Sequence, residues 1–400
     1  VVWERKLTTW VEDVRKKAAL PLRLELWNGK KFDFSNETPC VTVKVPGASA
    51  LTYLLTPSLS NLGTAYVEGK IDVKGRLTDI INLAHGLAQK TLEPEGKLAR
   101  FARKFTHTKE KDAEAIQYHY DVSNDFYSLW LDPNMVYSCA YFENDDEDLA
   151  TAQIKKIDHI LNKIQVKPGQ RLLDIGCGWG ALVMRAAEKY GAECVGITLS
   201  EKQYELARER VRAAGLSNKI DIRIEDYRDV KGTFDRITSV GMFEHVGLRH
   251  LPAYFGKISS LLSENGIAMN HGITSTDPES GGTPYGGGEF IGKYVFPHGE
   301  LPHIGLVLKT MQEGGLEALD VENLRFHYAK TCATWADNFE AQTDAIKRMV
   351  DEKRYRIWRV YLAGSSYSFA NDLIALYQVV CVKSGRRAPL LPMSRRYMYS

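Results

Sequence analysis

Three stretches of the 400-residue chain hold the residues best suited to chemistry. The first is Arg171-Leu172-Leu173-Asp174-Ile175-Gly176-Cys177-Gly178-Trp179-Gly180, a short apolar run that ends in a glycine-rich turn. Glycines there let the backbone approach a ligand closely, and a following helix aims its unpaired N–H groups at that ligand. The same kind of turn can also serve only to pack a helix on a sheet, so its neighbours decide. A dinucleotide site expects an Asp or Glu about 20 residues after the glycines to hold the ribose. Here the second strand, Cys194-Val195-Gly196-Ile197, runs instead into Thr198-Leu199-Ser200. The acid is Asp174, just before the first glycine, where it can orient the turn and a ligand's amino group. That placement favours S-adenosylmethionine over a dinucleotide.

The other two stretches follow later strands. Gly241-Met242-Phe243-Glu244-His245-Val246-Gly247 succeeds a fourth strand, and His271-Gly272-Ile273 a fifth. Ligands of open α/β sheets bind beyond the carboxyl ends of the strands, so Glu244 and His271 should face one crevice. Each could be a satisfied structural group, but two ionisable groups at adjacent strand ends beside a methyl donor point to chemistry. Glu225-Asp226-Tyr227, after the third strand, suits an adenine ring held by stacking and a hydrogen bond.

The elements that must position these groups are legible in outline. A helix with Ile154, Ile157 and Leu161 on one face leads into the first strand. Leu182 to Tyr190 reads as a helix stopped by Gly191, and Glu201 to Ala214 as another, capped by Ser200 and stopped by Gly215. Strands are predicted at 220–224, 235–240 and 266–270. Alternating strands and helices imply a parallel sheet covered on both faces. The fold class is therefore α/β, a Rossmann-like methyltransferase domain of class I, expected over 116–400 with a C-terminal helical region.

Before it, residues 1–115 read as a small α+β domain and a basic linker. Leu22 to Phe34 alternates around Asn28-Gly29, a hairpin signal, and Val41, Val43 and Val45 continue the alternation. From Lys97 to Lys111 the cations Lys97, Arg100, Arg103, Lys104, Lys109 and Lys111 form either a solvated linker or a patch for anionic lipid head groups. With 52 basic against 50 acidic side chains, nothing argues for nucleic acid. No apolar run reaches the ~18 to 20 residues of a spanning helix, and no signal peptide is seen. The six cysteines lack paired short spacings, which disfavours zinc or a disulfide framework and makes a reducing, cytoplasmic setting the expectation.

His119-Tyr120-Asp121, Tyr137-Ser138-Cys139-Ala140-Tyr141, the glycine turn, Asp226-Tyr227-Arg228-Asp229, Ser239 to Gly247 and Lys293-Tyr294-Val295-Phe296-Pro297 together resemble the cyclopropane fatty acid synthase family, which includes the mycolic acid cyclopropane synthases. The glycine turn is shared by many methyltransferases; Tyr-Ser-Cys-Ala-Tyr combined with Met-Phe-Glu-His-Val-Gly is specific. Gly63 to Gly69 is similar to the family's lipid-associated N-terminal region.

The resemblance implies transfer of a methylene group from S-adenosylmethionine to a cis double bond of an acyl chain in a membrane phospholipid. The carbocation formed on the way would lose its proton to a bound bicarbonate. The ligands of that bicarbonate would be Cys139, Glu244, His271, the backbone of Ile273, and Tyr328. Donor-site residues carried over are Tyr137, Ser138, Gly176, Gly178, Thr198, Leu199, Gln203, Asp226 and Tyr227, beside Asp174. Peripheral contact at the inner membrane surface and a homodimer are also implied. Where some family members have a cysteine near the C-terminus, this chain reads Ala363-Gly364-Ser365-Ser366. The five glycines of 281–288 suggest a lid. Tyr355, Trp358, Tyr361, Leu362 and Phe369 recur at helical spacing, as helix packing or as an acyl channel. The rival readings are a small-molecule N-methyltransferase of the related plant alkaloid type and a non-enzymatic lipid-binding protein.

Overall fold

In the computed structural model, which describes residues 2–92, 122–297 and 299–399, Asn28-Gly29 turns the chain back on itself. Strands β1 (Leu22–Leu26) and β2 (Lys31–Asp33) pair antiparallel, and Gly29 takes the left-handed φ of +81° that the turn requires. β3 (Val41–Val45) lies parallel to β1, and β4 (Asp72–Lys74) pairs antiparallel with β3. Helices Val2–Lys17, Leu59–Val67 and Leu77–Thr91 complete this α+β unit, whose core includes Leu7, Val14, Leu24, Phe34 and Val41. Gly63 is glycine because the Phe290 ring lies 2.6 Å from where its Cβ would stand.

Two compact units result, and the division is not a single cut. Gly282–Pro297 and Phe339–Ser368 belong with the N-terminal segment, and the larger unit takes the intervening and following residues. The expected boundary at 115/116 lies outside the described residues, as do the basic stretch 97–111 and Tyr118-His119-Tyr120-Asp121. Within the N-terminal unit Arg359 clamps Glu340 with two bonds of 2.7 and 2.9 Å and donates to the Tyr66 hydroxyl at 3.0 Å. Tyr355 and Trp358 are buried there, Tyr355 stacked on Phe339 and Trp358 edge-on to Tyr361, which is helix packing. The glycine-rich stretch forms a short turn, Pro284–Gly286, and the helix Gly287–Tyr294, so it is structured rather than an open loop.

The larger unit is built on β5 (Arg171–Ile175), β6 (Glu193–Thr198), β7 (Ile220–Ile224), β8 (Phe234–Val240), β9 (Leu262–Ser275), β10 (Leu316–Asn323) and β11 (Ile374–Lys383). Their order is β10-β11-β9-β8-β5-β6-β7. The β9-β8-β5-β6-β7 part is parallel; β11 runs antiparallel to β9, and β10 to β11. The five predicted strands are present, and helices Ala181–Tyr190 and Glu201–Ala213 follow β5 and β6, the latter capped by Ser200.

Two expectations need correction. The region after residue 300 is not only helical, because it supplies β10 and β11. Residues 375–382 of β11 are mostly buried, so the strand is a near-continuous apolar run without the alternation that marks a half-exposed strand. In the helix Leu149–Lys163, Ile154 points outward at 37% exposure, while Gln153, Lys156, Ile157, Ile160, Leu161 and Lys163 are buried. The inward face thus carries two lysines that a count of apolar residues does not register.

Candidate active site

β5 delivers the glycine turn into a cavity at the carboxyl end of the parallel strands. Tyr137, Ser138, Asp174, Gly176, Gly178, Thr198, Leu199, Gln203 and Tyr227 line it. Gly176 and Gly178 have φ of +81° and +55°, a region that L side chains rarely adopt, and none of the described residues stands within 4 Å of a Cβ built at Gly178. Asp226 does not line this cavity; Glu225 does. Asp226 instead accepts two bonds from the Arg228 guanidinium, at 2.9 and 2.7 Å. Asp174 is 2% exposed and accepts from the Thr238 hydroxyl at 2.7 Å. Burial pushes its carboxyl up to about 6, against the pull of that bond and of Lys156.

The segment carrying Tyr137, Ser138 and Cys139 is held from several sides. The Asp132 carboxylate accepts from the Asn134 and Val136 amides, each at 2.9 Å, fixing the turn that precedes it. The Gln153 amide donates to the Ser138 carbonyl at 2.8 Å, and the Ala140 amide donates to the Thr331 hydroxyl at 3.1 Å. The Tyr137 ring sits among Tyr127, Trp130 and Trp335, with centroids 5.3 to 5.5 Å away. Thr331 lies on the helix Arg325–Ala341, which also carries Tyr328, so one contact ties the Cys139 segment to the Tyr328 helix. Phe369 stacks on the Tyr328 ring at 4.4 Å.

Cys139 is fully buried, and its thiol faces the Ala140 carbonyl at 3.2 Å. Burial pushes its ionisation far above the ordinary thiol range, so it stays a neutral, weak donor rather than a nucleophile.

Glu244 sits in the short turn Phe243–His245 after β8. Its Oε1 accepts the Ile273 amide at 2.7 Å, and its Oε2 is buried with no partner among the described residues. Burial pushes its carboxyl up to about 7. The Ile273 amide, expected to face an anion, is therefore already given to Glu244.

His271 is 1% exposed, and its Nε2 is likewise buried without a partner among the described residues. Its tautomer follows from a chain of contacts that the sequence does not disclose. The Lys163 ammonium donates to Gln378 Oε1 at 2.9 Å, which leaves the Gln378 amide nitrogen to donate to His271 Nδ1 at 3.2 Å. Nδ1 thus accepts, and Nε2 carries the proton. Burial, with the charges of Lys156 and Lys163, holds His271 well below the usual histidine range and hence neutral. Gln378 faces His271 because the two are cross-strand partners of β11 and β9.

Gly272, between His271 and Ile273, is another residue whose role the sequence hides. A Cβ there would stand 1.4 Å from Cε1 of the Phe243 ring, and Phe243 is the neighbour of Glu244. Gly272→Ala is expected to lower stability by about 1–3 kcal/mol through overpacking, seen as a drop in melting temperature, and to lower activity by displacing Glu244. An unchanged Tm and full activity would show that the ring is free to move.

Against known proteins, the mycolic acid cyclopropane synthetase family matches residues 107–379, and a domain of unknown function matches 9–95. A probable fatty acid methyltransferase of Pseudomonas putida is 46% identical over 385 residues, covering 95% of this chain and 96% of that protein. The cyclopropane-fatty-acyl-phospholipid synthase of Escherichia coli is 38% identical over 280 residues, 70% of each chain. The solved structure of a mycolic acid cyclopropane synthase complexed with SAH and CTAB is 36% identical with a TM-score of 0.64, covering 68% of this chain and 98% of that one. The sheet order and the glycine turn are those of class I S-adenosylmethionine-dependent methyltransferases, and within that fold the chain belongs to the mycolic acid cyclopropane synthetase family.

Proposed function

We propose that the protein transfers a methylene group from S-adenosylmethionine to a cis double bond of an acyl chain in a membrane phospholipid, forming a cyclopropane ring. One observation carries the reading: Glu244 Oε2 and His271 Nε2 are buried polar atoms without partners among the described residues, on residues linked through the Glu244 bond to the Ile273 amide. Leaving a buried polar group unpaired costs about 1–3 kcal/mol, so such atoms imply a ligand. A bicarbonate fits the groups present. His271 offers an N–H and Tyr328 a phenol, the Cys139 thiol is already directed at the Ala140 carbonyl, and Glu244, its carboxyl raised by burial, can accept the ligand's hydroxyl proton.

The donor supplies an electrophilic methyl group, and bicarbonate, when bound, supplies a base for the one proton that ring closure releases. The chain's own contribution is placement. Gly176 and Gly178 open the cavity floor to the donor, with Tyr137, Ser138, Thr198, Leu199, Gln203 and Tyr227 around it. The alkene's π electrons attack the methyl carbon as the carbon–sulfur bond breaks, leaving a cation that an apolar chain cannot deprotonate. Glu244 and His271 hold the base beside it, and the Lys163–Gln378 chain keeps the His271 proton on Nε2.

A methyl-branched product is the second reading, favoured by the name of the Pseudomonas relative, a probable fatty acid methyltransferase. Mass spectrometry of acyl chains after incubation with S-adenosylmethionine and vesicles of cis-unsaturated phospholipid separates the two. A gain of one CH₂ with loss of alkene reactivity supports the cyclopropane; the same gain with an alkene retained, a methylene-branched chain that only a separate hydride donor could saturate, supports the other, and no gain rejects both.

The reading includes peripheral contact with an anionic membrane surface on the cytoplasmic side, by a homodimer. Among the described residues no helix is long and apolar enough to cross a membrane. If the cations at 97–111 touch head groups, vesicle binding should weaken with rising salt and on charge reversal at Arg103 and Lys104. Salt-independent sedimentation with vesicles would direct attention to an apolar contact.

A further inference from the structure

The Lys156 side chain is an ammonium in the wrong place for a structural lysine. It is 2% exposed, lines the cavity beside Asp174 and Gly176, and donates to the Ser138 hydroxyl at 2.5 Å. Among the described residues no carboxylate comes within ion-pairing distance of it, and the Ser138 hydroxyl takes one of its three N–H donors while the other two find no partner there. A buried charge is retained where it meets an opposite one. Its field reaches Cys139, Asp132 and Asp174, and burial lowers its ionisation only to about 8, so the charge persists at neutral pH.

We infer that Lys156 is a donor-binding residue whose ammonium, steadied by Ser138, pairs with the α-carboxylate of the methionine moiety. The inference rests on the donor assignment above and adds to it the group that recognises the amino-acid end. It also gives the Leu149–Lys163 helix a function on its inward face, with Lys156 serving the donor and Lys163 orienting His271. Bicarbonate is the other small carboxylate-like anion that the same charge could meet, and the experiment separates the two.

Calorimetric titration of wild type, Lys156→Met and Lys156→Gln with S-adenosylhomocysteine and with methylthioadenosine provides the test. Methylthioadenosine keeps the nucleoside and thioether but lacks the carboxylate. A charge-assisted bond of this kind predicts S-adenosylhomocysteine binding about ten- to a hundredfold weaker in both variants, with methylthioadenosine within about twofold of wild type. Unchanged S-adenosylhomocysteine affinity would overturn the inference, and if the bicarbonate requirement for turnover then rose, the charge would belong to the base site. An equal loss of both ligands in both variants would make Lys156 a structural residue and also overturn it. Wild-type protein that bound neither ligand would instead remove the donor assignment itself.

Discussion

Glu244→Gln is expected to lower turnover by about a hundredfold or more while leaving affinity for donor and lipid within about twofold of wild type. The substitution keeps the side chain's size, and its amide oxygen can still accept the Ile273 N–H, so the turn after β8 should hold. What changes is Oε2, which has no partner among the described residues, replaced by an amide that can neither ionise nor accept a proton. Donor affinity should not move, because the cavity lining lies around Gly176, Gly178 and Thr198 and does not include Glu244. Single-turnover kinetics together with equilibrium binding would check the split; a variant with raised KM and unchanged kcat would place Glu244 in substrate binding instead.

The second large effect is at Gly178. Gly178→Val should abolish measurable donor binding while the protein remains folded. The φ of +55° makes a β-branched residue unfavourable there, at roughly 1–2 kcal/mol, a cost that an α/β core of this size can absorb. No atom of the described residues lies within 4 Å of the added Cβ, so the side chain would occupy space otherwise left to the ligand. Titration with S-adenosylhomocysteine and a melting curve read the two parts separately; wild-type affinity in a folded variant would show that the donor lies elsewhere.

Much of the catalytic unit is legible in the amino-acid sequence because its signals are local. Strands β5 and β6 are short, largely apolar runs, β7 alternates apolar and charged residues, Gly176 and Gly241 close β5 and β8, and the caps at Ser200 and Gly191 sit where their residue types demand. Glu244 and His271 stand out from chain order alone, as the ionisable residues that follow two neighbouring strands. The features that are not legible depend on contacts between distant segments. The His271 tautomer requires Lys163, Gln378 and His271, from three elements, to meet. Lys156 and Lys163 are hidden because helical periodicity is read from apolar residues, and Ile154, which fits that periodicity, faces outward. Gly272 is intelligible only with the Phe243 ring against it. Tyr328 is reached through family resemblance rather than spacing, and the packing that supports it is Phe369 stacked on its ring, a residue whose sequence position shows only a helical stripe. Asp226, expected at the donor, is engaged with Arg228, and Glu225 takes its place in the cavity wall.

The central claim is that the proton released by ring closure leaves through a base held by Glu244 and His271. Turnover of the wild-type protein on cis-unsaturated phospholipid vesicles, in buffer stripped of carbon dioxide and bicarbonate, tests it most directly. The account predicts a depressed rate that added bicarbonate restores, with Tyr328→Phe needing more bicarbonate for the same recovery. Full activity of the wild type in carbonate-free buffer would contradict the base site.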